Sequence, residues 1–86
     1  MKVSVYSLKK VLFEGEAQAV NCQTVGGEIT ILDFHRPLIS MLKAGPLRVT
    51  DTGQKDHYFP IVSGFLEVDG GNRAKLLVEE AAELAG

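Results

Sequence analysis

The sequence has a single cysteine, no excess of either charge and no long apolar run, and each shortage removes a class of protein. Cys22 alone cannot close an intrachain disulfide or build a zinc site with two or more thiolates, so a reducing context is expected. Nine Lys and Arg against eleven Asp and Glu leave a formal charge of −2 with both histidines neutral. Nucleic acid is not expected as a partner, because proteins that bind it present clustered Lys and Arg on a strongly basic face. Nothing approaches the ~18–20 apolar residues that span a bilayer, and Lys9 and Lys10 interrupt the amino terminus before a signal-peptide core can develop. The expectation is a soluble chain that does not cross a membrane but is free to sit beside one.

What is present suits one small folded domain. Eighty-six residues leave no room for a second core. Hydrophobic residues at 45% and charged residues at 23% are ordinary for a globular chain, which argues against disorder. A domain of this size buries only about 60–65% of its unfolded surface, so partners would add stability.

Turn signals recur at Glu14-Gly15, Gly26-Gly27, Gly45-Pro46, Asp51-Thr52-Gly53, Ser63-Gly64 and Asp69-Gly70-Gly71-Asn72. Most intervals between them are too short for helices. They hold β-type segments at 2–7, 11–13, 17–24, 28–32, 47–50, 57–62, 65–69 and 74–78. Val3 and Val5 alternate with Lys2 and Ser4, and Ile29 and Ile31 with Glu28 and Thr30, as strands with one buried face do. The pattern predicts an all-β sandwich or small barrel. Leu38, Ile39, Met41 and Leu42 fit either a buried strand or a helical turn opened by Pro37. Helix formers gather only in the tail from Glu79 to Ala85, and seven residues cannot sustain an isolated helix in water.

Catalytic chemistry finds no support in the spacing. A nucleophile would need Cys22 or a serine beside His35 or His57, and nothing in the sequence brings these together. Cys22 lies in a β-like segment, where a small buried thiol is the simplest reading. Two histidines, with Asp33 and Asp56 in different segments, do not make a metal site. The Gly26-Gly27 and Gly70-Gly71 pairs lack the lysine and following helix of a phosphate loop. Glu79, Glu80 and Glu83 read as a solvated end of the chain. No catalytic residue, cofactor or metal is expected.

Six runs in sequence order carry a resemblance over nearly the whole chain. They are Val11-Leu12-Phe13-Glu14-Gly15-Glu16, Gly27-Glu28, His35-Arg36-Pro37-Leu38-Ile39, Leu42-Lys43-Ala44-Gly45-Pro46-Leu47-Arg48-Val49, Ser63-Gly64-Phe65-Leu66-Glu67-Val68 and Leu77-Val78-Glu79-Glu80-Ala81. Together they resemble the epsilon subunit of the rotary, proton-translocating ATP synthase. The resemblance implies a flattened β-sandwich of about ten short strands over residues 1–81, with 82–86 a short, potentially helical tail where that family's helical pair begins. It also implies a non-catalytic rotor subunit of the central stalk, docking the gamma subunit onto the c ring and helping couple proton-driven rotation to ATP synthesis. Without the helical pair, neither inhibition of hydrolysis nor direct ATP binding is expected. The implied location is peripheral, on the cytoplasmic face of a bacterial inner membrane or the equivalent face of an organellar energy-transducing membrane.

By position the resemblance carries ring contact onto Glu28 and His35, both on the end of the sandwich facing the ring, with Arg36 adding a cation beside them. It carries gamma contact onto Ser7, Leu38, Ser40 and Met41, the apolar members forming the centre and the polar ones the rim. Leu38 and Met41 also read as plain core. Asp33-Phe34 stands where the family usually has Pro-Gly, and the expected consequence is a loop without its normal turn chemistry. One glycine at 63–65 replaces the usual two. Two other readings stay open: a lipoyl or biotinyl carrier with Lys55 displayed near Gly53, and a small β-scaffold hydrolase using His35 or His57 beside a shifted acid.

Overall fold

The alternation of Val3 and Val5 with polar neighbours does build a strand, β1 (Lys2–Tyr6), whose two valines are fully buried. The computed structural model describes residues 1–81, so the expected helical tail at 82–86 lies outside the described residues. Six more strands follow: β2 (Val11–Thr24), β3 (Gly27–Leu32), β4 (Leu38–Leu42), β5 (Gly45–Asp51), β6 (Asp56–Val68) and β7 (Arg73–Glu80). The described residues contain no helix, and the all-β expectation is borne out. The stretch after Pro37 is a strand because Leu38–Leu42 pairs along its length with β6.

Seven strands replace the ten short ones expected, because two glycines read as turn signals lie inside strands. Gly15 stays extended opposite Val3, so 11–13 and 17–24 join as one strand. Gly64 pairs with Val78 inside β6. A Cβ built there would stand 2.5 Å from the Leu77 carbonyl oxygen and 3.1 Å from the Val78 Cα. Gly64 thus permits a close approach of β6 to β7.

The hydrogen-bonded order is β1-β7-β6-β4-β2-β3, with β5 joining β2 to β6. The long strands each serve two layers. The first part of β2 pairs with β1 and the second with β3 and β5. Likewise β6 pairs first with β5, then with β7 and β4. Register shifts between Ala17 and Ala19, and between Ile61 and Ser63, mark the irregularities where these strands turn the corner. A single sheet therefore folds over itself into a sandwich.

Between the layers lie Val3, Val5, Val20, Ile31, Leu47, Val49, Leu66 and Leu76, all fully buried. Cys22 is buried among them, and the loss of solvent pushes its thiol up to about 11, which leaves it protonated and inert at neutral pH. Register also defines two ends. One carries the 7–10 loop, the β2–β3 turn at Val25 and Gly26, and the β4–β5 turn; the other carries Met1 and the connections at 33–37, 52–55 and 69–72.

Candidate functional site: an apolar sheet face and an open edge

Strand alternation normally leaves the outer face polar, yet one row of the β1-β7-β6-β4 layer is apolar throughout. Met41 pairs with Phe65, Phe65 with Leu77, Leu77 with Tyr6, and Tyr6 with Val11. Each flanks buried residues of the opposite phase: Leu42, Leu66, Leu76, Val78 and Val5 face the core. Met41 and Phe65 are each 54% exposed and Leu77 45%. At about 4.8 Å between strands, the five positions make a stripe roughly 19 Å long. Ile39, 76% exposed, widens it along β4, beside Glu67 and Lys75 in the next row. A contiguous apolar stripe with a polar border is the anatomy of a docking surface.

The second feature is β3, which among the described residues pairs only with β2 and leaves its other edge open. Glu28 stands exposed at its start, beside the β2–β3 turn that Thr24 organises by donating to Gly27 O at 2.8 Å and accepting from the Gly26 N–H at 3.1 Å. Beyond the other end of β3, the His35 N–H donates to Leu32 O at 3.2 Å and closes a turn. Phe34 lies third in that turn with φ 61°, the left-handed region that a glycine would occupy without strain. For an L-residue that conformation costs roughly 1–2 kcal/mol.

The loss of turn chemistry expected from Asp33-Phe34 is therefore not what the structure shows; the turn persists because other groups hold it. The Phe34 N–H donates to Asn72 Oδ1 at 2.7 Å, and Asn72 Nδ2 donates to Asp33 Oδ1 at 3.3 Å. Asp33 also accepts from the Met1 ammonium. These hydrogen bonds, the ammonium first and Asn72 second, hold the Asp33 carboxyl below its usual value. His35 Nδ1 donates to the Arg36 carbonyl at 2.7 Å, which orients the half-buried imidazole, while the Arg36 side chain is exposed.

The site residues expected from the sequence are brought together only in part. Glu28 and Leu32 are four steps apart on β3, roughly 13 Å, so Glu28 and the His35-Arg36 pair flank opposite ends of that strand. The expectation that they share one end of the sandwich is corrected: Glu28 stands at the start of β3, and His35 and Arg36 follow its far end in the connection to β4. Met41 lies in the apolar stripe, but alternation turns Leu38 and Ser40 the other way, and Leu38 packs against the core. The Ser7 hydroxyl is engaged by its own loop, accepting the N–H groups of Lys9 and Lys10 at 3.2 Å each. Phe65, Leu77, Tyr6 and Ile39 are not among the contact residues expected from the sequence. Their signal was present, since Phe65-Leu66 and Leu76-Leu77 place apolar residues in both phases of a strand, and one phase must face outward.

The structure makes one contact that spacing could not reveal. His57 Nε2 donates to Asp51 Oδ2 at 2.9 Å, and the Phe13 ring lies tilted against the imidazole at 5.2 Å. Asp51 Oδ1 accepts the N–H groups of Gly53 and Lys55 at 2.9 and 3.0 Å. The His57 bond first, then Lys55, hold its carboxyl below the usual range. No hydroxyl or thiol hydrogen-bonds His57 among the described residues, so the pair braces the β5–β6 turn and lacks a nucleophile. No cluster of three metal-ligating side chains occurs among the described residues. No helix among them is long and apolar enough to cross a membrane.

Comparison with known proteins agrees with this fold. Residues 1–84 match the family described as "ATP synthase, Delta/Epsilon chain, beta-sandwich domain". The ATP synthase epsilon chain of Brevibacillus brevis is 35% identical over 86 residues, covering 100% of this chain and 64% of the relative. That of Chlorobaculum tepidum is 34% identical over 80 residues, 93% of this chain and 90% of the relative. The chain thus spans about two thirds of some relatives and nearly all of others. A chain of the Euglena gracilis mitochondrial ATP synthase, solved as OSCP/F1/c-ring, superposes with a TM-score of 0.84 at 23% identity, over 93% of this chain and 51% of that one. Another, from the Tetrahymena thermophila central stalk and c-ring, gives 0.77 at 19%, over 93% and 63%. At those identities the likeness establishes the fold.

Proposed function

The chain belongs to the β-sandwich domain family of ATP synthase delta and epsilon chains, and from that premise we propose that it is a non-catalytic subunit of the rotor, docking the gamma subunit onto the c ring. The observation that carries this reading is the apolar stripe running from Met41 through Phe65, Leu77 and Tyr6 to Val11. It crosses five strands of one layer, which makes the surface as stiff as the sheet beneath it. A coupling element must pass torque without slip, and a flat apolar patch on a stiff sandwich of residues 1–81 resists shear better than a loop-borne contact.

Gamma covers the stripe, with Met41 from the expected set at its edge and Leu38, Ser40 and Ser7 supporting it from behind and above. The c ring meets the open edge, where Glu28 at one end of β3 and His35 and Arg36 beyond the other give a polar, hydrogen-bonding margin. No reacting group is required of the chain. Its place is peripheral, at the membrane surface that bears the catalytic head, held there by the ring.

Phe65→Asp tests the reading in the assembled enzyme. The variant should fold, because the ring is half exposed, and should lose gamma from preparations purified through this chain. Undiminished recovery of gamma with Phe65→Asp would contradict it.

A further inference from the structure

Met1 precedes β1 and is 6% exposed, with its side chain in the core cluster. Its α-ammonium is therefore a charge with little water around it, and such a charge is stable only where the fold supplies partners. It donates to the Ala17 carbonyl at 3.1 Å and to the Asp33 carboxylate, and Glu16 Oε2 stands 3.6 Å away. No other cation pairs with Asp33 or Glu16 among the described residues.

These contacts tie together segments far apart in the chain. Met1 extends the pairing of β1 with β2, since the Ala17 N–H donates to the Met1 carbonyl at 2.9 Å. Asp33 opens the connection from β3 to β4 and also accepts from Asn72 Nδ2, while the Lys2 N–H donates to the Asn72 carbonyl at 3.1 Å. Asn72 Oδ1 in turn holds the Phe34 N–H. The dependence runs both ways, because the ammonium, before any other group, holds the Asp33 carboxyl below its usual value. Without the ammonium, two carboxylates and a carbonyl would face one another with no cation between them.

Acylation is a small covalent change that removes it. Transfer from an acyl thioester forms an amide bond to the Met1 nitrogen, breaks the carbon–sulfur bond, and releases the thiol and one proton. The nitrogen loses its charge and keeps one N–H of the three that an ammonium carries. The new carbonyl oxygen then lies among the Ala17 carbonyl and the carboxylates of Asp33 and Glu16, all of them acceptors.

We propose that the Met1 α-amino group is a modification-sensitive site: unblocked, its ammonium closes this end of the sandwich, and acylated, it releases the 33–37 and 69–72 connections. The folded amine is out of reach of an acylating enzyme, so the outcome is set before the sandwich closes.

Joining a synthetic 1–21 thioester to residues 22–86 at Cys22 yields the full chain with a chosen amino terminus: free, Nα-acetyl, or Nα-methyl, which keeps the charge. The acetyl chain should melt about 5–10 °C below the free one, and its Phe34 amide should exchange with solvent about tenfold faster. The Nα-methyl chain should match the free one within about 2 °C. Asp33→Asn should shrink the difference between acetyl and free chains, because it removes the carboxylate that the ammonium serves. Equal melting and exchange of the acetyl and free chains would overturn the proposal. So would a difference that persists in full in Asp33→Asn, which would make the effect one of bulk. In protein taken from its native membranes, mass spectrometry of the amino-terminal peptide should find the Met1 nitrogen unblocked, and an acyl group or a further segment on it would overturn the proposal as well.

Discussion

Met41 and Phe65 are register partners across β4 and β6, and each leaves about half of its surface in solvent. The next residue on each strand, Leu42 and Leu66, is buried. Adjacent positions therefore present one residue to solvent and the next to the core. Phe65→Asp should move the melting temperature by no more than a few degrees while releasing gamma, and Leu66→Ala should cost about 2–5 kcal/mol by opening a cavity in the core. Urea denaturation of both variants, alongside recovery of gamma, checks the pair; a collapse of stability in Phe65→Asp would place that ring in the core.

Gly64 should tolerate no side chain. A methyl group there meets the Leu77 carbonyl oxygen and the Val78 backbone, which can give way only by separating β6 from β7. Gly64→Ala is expected to destabilise the domain by about 1–3 kcal/mol, as overpacking does. A midpoint equal to the parent in urea would show that the two strands part without loss.

Acid should weaken the end of the sandwich that carries 33–37, 52–55 and 69–72 first. Asp33, Asp51 and Asp69 are all held below their usual values by hydrogen bonds: Asp33 chiefly from the Met1 ammonium, Asp51 from His57 and Asp69 from the Gly71 N–H. A carboxylate whose folded value is depressed contributes stability that is present above its unfolded value, about 3.9, and is lost as pH falls through the folded one. Stability should therefore hold from neutral pH toward 5 and fall below about 4. Asp51→Asn should flatten part of that fall, read as the slope of unfolding free energy against pH; an unaltered slope would remove Asp51 from the account.

Glu28 is exposed at the β2–β3 turn, and its carboxylate accepts no protein hydrogen bond among the described residues. Glu28→Arg should leave the fold intact and weaken coupling to the ring. Proton pumping per ATP hydrolysed in reconstituted vesicles measures this, and a yield equal to that of the parent would count against the contact.

The β class was legible because alternation at Val3 and Val5, or Ile29 and Ile31, reports a buried face directly. Strand lengths were not, since Gly15 and Gly64 look like turn residues until the partner strand is in place. A glycine required for close approach and one required for a turn are identical in a single sequence. The exposed surface was legible at Glu28 and Met41, which motif position alone singled out and which both stand in solvent. It was obscured where orientation mattered, since Leu38 and Ser40 share a strand with Met41 but face the other way. His57 and Asp51 meet only because the β5–β6 turn folds back, and Asn72 reaches Phe34 across 38 residues. Such contacts depend on register, which one chain in isolation does not display.

A chain that joins gamma to the c ring should leave the membrane with both. Affinity purification of the full chain from its native membranes in mild detergent, with mass spectrometry of the co-purifying proteins, tests it most directly. The gamma and c subunits should appear together, in fixed proportion to the chain. Their repeated absence from membranes that contain an intact ATP synthase would contradict it.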